Sequence, residues 1–155
     1  MKPWKIQGIG FCLFAAAFLF PAVGNVSFES GPGTASGWYC AYFTAMDVVF
    51  FPEMLYRNHG NVGLSEWLLM LSGFVVPFVL VYLLLCILAK ARMARLYLAV
   101  AILIGVVAAW LYFYTQFNVP DTQRTVPLIG HYIWILGILI MLSPEILSRF
   151  LDRES

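Results

Sequence analysis

A chain of 155 residues that is 62% apolar and only 11% charged lacks the polar side chains that a soluble domain needs at its surface. Nine basic and eight acidic residues nearly cancel, so no basic face exists for a nucleic-acid backbone, and nucleic acid is excluded as a partner. The composition predicts an all-α integral membrane protein with a single domain, residues 1–155.

Four long apolar blocks are separated by short polar segments. Each block is close to the roughly 20 residues that a helix needs to cross the hydrocarbon core of a bilayer. They predict a bundle of four transmembrane helices, at about residues 6–23, 64–89, 96–117 and 126–147. Pro77 lies inside the second helix and predicts a kink there, because proline removes a backbone hydrogen bond.

The first block follows two lysines and ends near Pro21, a layout that secretory signal peptides share. Its apolar run, Ile6–Phe20, is long for a signal, and Val23 stands where cleavage prefers a small residue. We therefore expect this segment to remain in the protein as the first transmembrane helix.

Residues 24–63 form the long segment between the first two helices, which we expect on the outer side. Residues 25–37 are rich in turn-forming residues and predict irregular structure. Residues 38–51 are dense in aromatic side chains, which are typical of the membrane–water boundary, and end at Pro52. They predict an interfacial or re-entrant helix across the outer mouth of the bundle, or else a small cap with some strand.

A fifth crossing at residues 38–51 is disfavoured for three reasons. The segment is short, it carries Asp47, and it would move the basic residues 90–95 to the outer side. Seven of the nine basic residues lie near the chain ends or between the second and third helices. The positive-inside rule therefore predicts that both termini are cytoplasmic. A bacterial inner (plasma) membrane is the simplest location for such compact loops.

Ionisable residues inside a bilayer are costly and mark functional sites, yet the predicted spans contain very few. His131 and Glu145 lie near the two ends of the last helix, and no carboxylate is predicted at mid-membrane. The motifs of hydrolases and of nucleotide-binding proteins are missing, and the three cysteines form no CxxC pair. We therefore expect neither enzymatic activity nor a bound metal or cofactor.

Several charged and histidine side chains are expected together at the outer edge. They are Asp47, Glu53, Arg57, His59, Glu66, Asp121, Arg124 and His131. The two histidines, His59 and His131, are weak candidates for cofactor binding and define one alternative, a haem- or quinone-linked redox subunit. Their spacing matches no ligand motif, and His59 lies in a turn-like sequence. A polar rim with one or two structural ion pairs is the simpler interpretation.

Small residues at four-residue spacing let helix backbones approach closely in lipid. The first helix has such a stripe at Gly8, Cys12 and Ala16. The third helix has one at Ala101, Gly105 and Ala109. Both packing within the bundle and docking of another membrane protein remain open for these stripes.

The sequence offers candidate contact surfaces but no reactive groups, which predicts a non-enzymatic protein that binds a partner. Besides membrane lipid, that partner would be another membrane protein or a second copy of the chain. The candidate contacts are Trp38, Tyr42, Asp47, Phe50, Ala101, Gly105 and Ala109. An accessory subunit and an assembly factor both fit, and an oligomeric channel or carrier is the remaining alternative.

The layout also resembles that of four-helix immunity proteins, which protect against pore-forming bacterial toxins. The shared features are two inner termini, a long first outer loop and a short second one. The resemblance covers architecture and no sequence motif, and it implies an inhibitor.

Overall fold

The computed structural model describes residues 3–28, 31–57, 59–88, 92–115 and 125–151. Most of these residues are helical. The helices are α1 Pro3–Ala17, α2 Gly37–Arg57, α3 Leu64–Gly73, α4 Val75–Ile87, α5 Arg92–Thr115 and α6 Ile129–Leu151. The strands are β1 Pro21–Phe28, β2 Gly31–Ser36 and β3 Val126–Pro127.

Three helices in the described part of the chain are long and apolar enough to cross a membrane. They are Leu64–Ile87, which joins α3 to α4, Arg92–Thr115 and Ile129–Leu147. A 24-residue span measures about 36 Å, which exceeds the roughly 30 Å of a typical hydrocarbon core. These helices indicate a membrane protein.

The first predicted helix is shorter than expected. Residues 6–23 were predicted to be helical, but α1 ends at Ala17 and β1 begins at Pro21. The N–H groups of residues 18–20 donate to carbonyls three residues back, which tightens and ends the helix. Pro21 also disfavours helical backbone at Phe20. At about 22 Å, α1 alone falls short of the hydrocarbon thickness and is not among the three spans.

The predicted kink at Pro77 coincides with an interruption of the helix. Pro77 has no N–H to offer the carbonyl of Gly73, and the helix is interrupted at Phe74 between α3 and α4. The other ends shift by a few residues: α5 begins at Arg92 rather than 96, and α6 begins at Ile129 rather than 126.

The contacts divide the chain into two compact units. The sheet unit comprises Met1–Trp38 and Val126–Ser155 and contains α1, the three strands and α6. The helical unit comprises Tyr39–Thr125 and contains most of α2 together with α3, α4 and α5.

The irregular structure predicted for residues 25–37 is wrong, and the mostly helical fold also contains three strands. β1 and β2 form an antiparallel hairpin in which Val26 pairs with Gly33, and β3 pairs with the other edge of β1. The segment lacks the alternating β-branched residues that usually signal strands. Backbone hydrogen bonds, rather than a pattern of side chains, therefore hold this sheet together. Pro32 is tolerated because β2 is an edge strand.

In the sheet unit, α1 packs antiparallel against α6 through two glycines. A Cβ atom on Gly10 would lie 2.7 Å from the carbonyl oxygen of Gly137. One on Gly137 would lie 2.5 Å from the backbone nitrogen of Phe14. The two backbones are therefore in direct contact, and the Phe14 ring lies 6.4 Å from that of Trp134.

The small-residue stripe predicted for the first helix does not form this contact. Gly8 and Cys12 are exposed, and a Cβ atom on Gly8 would meet nothing within 4 Å. The buried residues of α1 are instead Gly10, Phe14 and Ala17.

In the helical unit, α2 and α5 both pack closely against the segment around Phe74. A Cβ atom on Gly73 would collide with the carbonyl oxygen of Thr44 in α2. One on Gly105 in α5 would lie 3.1 Å from the carbonyl oxygen of Leu71. Gly73 therefore lets the α2 backbone approach closely, and Gly105 leaves room for the Val75 side chain and the Leu71 carbonyl.

Candidate partner-binding surface

Helix α2 carries a set of exposed aromatic side chains. At Trp38, Tyr42 and Phe50 the exposed fractions are 66%, 56% and 55%, and only Phe51 is buried in this helix. We call the exposed set the aromatic face; its members are Trp38, Tyr39, Tyr42, Phe43, Phe50 and Tyr56. At helical spacing these residues occupy the side of α2 opposite its packed side.

The packed side of α2 contacts α3 at two places. Thr44 and Val48 lie against Gly73, and the Phe51 ring contacts the Trp67 ring edge-on at 4.7 Å. The Thr44 hydroxyl donates a 2.9 Å hydrogen bond to the Cys40 carbonyl. Burial raises the pKa of the Cys40 thiol to about 11. Cys40 therefore stays protonated at neutral pH, which suits a packing role better than a reactive one.

Helix α2 is longer than the predicted segment. It continues past Pro52 to Arg57, where Glu53 and Arg57 form an ion pair one turn apart. Its 21 residues cover about 31 Å, so the helix is long enough to cross a membrane, contrary to the prediction. It is nevertheless not apolar enough to be counted among the three spans.

Asp47 lies at the border between the aromatic face and the packed side. Its side chain is exposed, and partial burial raises the pKa of its carboxyl group. The carboxylates of Asp47 and Glu66 both interact electrostatically with the Tyr112 hydroxyl of α5. Glu66 also accepts a 2.9 Å hydrogen bond from the Ser65 hydroxyl.

Two other residues predicted at this edge, Asp121 and Arg124, lie outside the described residues.

His59 has a backbone role at the end of α2. Its φ of 50° is left-handed, and its N–H donates to the Tyr56 carbonyl at 3.3 Å. The N–H of Gly60 donates to the Leu55 carbonyl at 2.8 Å. This pattern is a Schellman-type C-cap, which satisfies carbonyls that the helix leaves unpaired.

His131 lies in the first turn of α6, inside the sheet unit. Its side chain is buried and stacks on the Trp134 ring, with 5.8 Å between centroids. Its N–H donates to the Leu128 carbonyl at 3.0 Å. Among the described residues, no three His, Cys, Asp or Glu side chains are grouped as metal ligands.

The predicted stripe on the third helix faces inward in part. Gly105 and Ala109 are buried and Ala101 is half-buried. The contact of Gly105 with α3 and α4 corresponds to packing within the helical unit. Its use by a partner stays a prediction.

Three residues that contribute to the contacts between helices were not predicted from the sequence. Gly137 stands alone among bulky residues, and a lone glycine in an apolar helix is a usable signal of backbone contact. Gly10 lies two residues after Gly8, and the sequence does not show which of these two glycines meets the facing helix. The sequence does not indicate Tyr112, because its electrostatic interaction with Asp47 and Glu66 depends on how α5 aligns with α2 and α3.

No protein family, curated protein or solved structure matches this chain. The geometry of the α2 surface is therefore interpreted from the chain's own residues.

Proposed function

We propose that this is a four-crossing protein of a bacterial inner membrane that acts by binding a second membrane protein through the aromatic face of α2. The observation that carries the proposal is the exposure of six aromatic side chains on a helix that is not one of the three spans. Tyrosine and tryptophan are enriched both in protein interfaces and at the membrane boundary. An accessory subunit, an assembly factor and an inhibitor all use such a surface.

The fourth crossing is α1, and its contacts with α6 support this assignment. Gly10 meets α6 at Gly137 and Met141, so α1 runs antiparallel along the apolar span Ile129–Leu147. Together with the turn that follows it up to Phe20, α1 reaches about 27 Å, close to the roughly 30 Å of the hydrocarbon core.

The sheet supports a path in which α2 does not cross. Val126 comes just before α6 and pairs with Gly24, so β1 and β3 lie on the side of the membrane where α6 begins. The chain leaves this sheet at Ser36 and returns to it at Val126, which requires an even number of crossings in between. Leu64–Ile87 and Arg92–Thr115 supply two, which leaves none for α2.

An inclined α2 fits both this path and its contacts. Thr44 and Phe51 pack against Gly73 and Trp67 of α3, the half of the span next to the α2–α3 loop. In this arrangement α2 leans against the outer half of α3 and turns its aromatic face away from it. The basic residues near both termini and between α4 and α5 then lie in the cytoplasm.

The proposal predicts that a partner is lost when the aromatic face is changed. The tagged protein is purified from its native membrane in mild detergent, and co-purifying proteins are identified by mass spectrometry. We expect one stoichiometric partner, which Tyr42→Ala reduces strongly because it removes an exposed anchor.

The matched control is Tyr97→Ala, which removes a tyrosine of α5 that is 67% exposed, against 56% for Tyr42. Equal loss with both variants would contradict a specific role for α2. Recovery of the protein alone, under conditions that preserve a known membrane complex, would contradict a stable partner.

A further inference from the structure

The acidic residues of α2 and α3 differ in the partners of their carboxylates. Glu53 pairs with Arg57, and Glu66 accepts a hydrogen bond from Ser65. The side chain of Asp47 is exposed, and no hydrogen bond or ion pair to it is found among the described residues. On the path proposed above, α2 lies at the membrane boundary, where a counter-charge from another molecule stabilises an exposed carboxylate.

The surroundings of Asp47 select for a cation. Phe43 and Phe50 flank Asp47 at four residues before and three after, and both rings are exposed. A guanidinium or ammonium group gains from a carboxylate and from aromatic faces at the same time.

We propose that the partner of the aromatic face presents an arginine or lysine side chain to Asp47, between Phe43 and Phe50. This inference rests on the proposed function and names the chemistry of its partner. A membrane segment with one basic residue near its outer end fits, since long basic side chains reach the membrane surface while their stems stay in apolar surroundings.

Three other sources of positive charge are distinguishable from this one. They are an amine headgroup of a lipid, a basic residue of a second copy, and Arg124 of the same chain. Arg124 lies outside the described residues, and the test addresses it by substitution.

The test uses the full-length protein in its native membrane with a benzoyl-phenylalanine photo-crosslinker in place of Phe50. We expect an adduct with a second membrane protein, and a partner peptide that contains Arg or Lys within about one helical turn of the linked residue. Asp47→Asn should reduce adduct yield about tenfold, the loss typical of one charge-assisted bond. Asp47→Lys should remove the adduct, and reversing the partner's basic residue to Glu should restore it.

The control variant is Glu53→Gln, which changes an acid that already has a partner on the same helix. It should leave the adduct yield within twofold of the unaltered protein. Circular dichroism and thermal unfolding in detergent show whether the variants keep the fold.

The unfavourable outcomes are distinct. No protein adduct at Phe50 would contradict the proposed function itself. A protein adduct that Asp47→Asn leaves unchanged, or whose partner peptide has no basic residue, would overturn the inference alone. Adducts with lipid or with a second copy only would also overturn it. If Arg124→Gln reproduced the loss, the counter-charge would be internal and the inference would be wrong.

Discussion

At the scale of single residues, two glycines determine how closely α1 and α6 approach. Gly10 and Gly137 each lie where an added Cβ atom would meet backbone of the facing helix. In lipid, helices gain little from hiding apolar surface, so association depends on van der Waals contact at close range. Backbone atoms cannot move aside as a flexible side chain can, and the contact is therefore sensitive to a single methyl group.

Gly10→Ala should destabilise the protein by about 1–3 kcal/mol, the usual cost of inserting a group into a packed contact. Gly8→Ala is the matched control in the same helix, because a Cβ atom there meets nothing within 4 Å. It should be neutral or slightly stabilising, since alanine is the better helix former. Thermal unfolding in one detergent compares the two. Equal midpoints would show that the α1–α6 contact does not limit stability.

At the scale of elements, the apolar helices were predictable and the small sheet was not. The runs that became α3–α4, α5 and α6 are long and continuous, so the bilayer requirement identifies them within a few residues. The strands of the β1–β2 hairpin are rich in Gly, Ser and Pro. These residues are uncommon in strands, so the sequence did not indicate that the two segments would pair.

The ends of α1 and α2 depend on local chemistry that outweighs the hydropathy pattern. Pro21 ends the first apolar block early because it favours extended backbone before it. Pro52 does not end α2, since the Glu53–Arg57 pair supports the next turn and His59 and Gly60 cap it. Asp47 and the aromatic side chains could be selected from the sequence, whereas their relation to Tyr112 required the packed helices.

The path of α2 is testable by cysteine labelling. In a background without Cys12, Cys40 and Cys86, the exposed residues Thr34 and Tyr56 are replaced by cysteine one at a time. Both should react with a membrane-impermeant maleimide in intact spheroplasts, because α2 returns to the side from which it starts. Met93→Cys, at the start of α5, should react only after permeabilisation.

Reaction of Thr34→Cys and Tyr56→Cys from opposite sides would show that α2 crosses. Its length of about 31 Å permits that outcome, which makes the experiment decisive for the crossing number. Five crossings would also separate the two termini across the membrane.

At the scale of the whole molecule, apolar exposure is the rule rather than the exception. Large aliphatic side chains are exposed on every candidate span, including Leu84, Ile104 and Leu139. In a soluble protein such surface would cause aggregation, whereas in a bilayer it meets lipid tails. The aromatic face of α2 differs from this surface in its tyrosines and in the carboxylate at its border.

The orientation of the whole chain is expected to follow its basic residues. In a bacterial cell, green fluorescent protein fused to the C-terminus should fluoresce, and alkaline phosphatase fused there should be inactive, because both report a cytoplasmic location. Replacing Lys90, Arg92 and Arg95 by glutamine removes three of the seven basic residues that are expected on the cytoplasmic side. With fewer charges to hold that side in the cytoplasm, the protein should insert in a mixture of both orientations. The matched control replaces Arg57 and Arg124 by glutamine, and it should leave fluorescence unchanged because these charges lie on the other side.

Active phosphatase on the unaltered chain would contradict four crossings with cytoplasmic termini. It would also contradict the proposed outer position of the aromatic face.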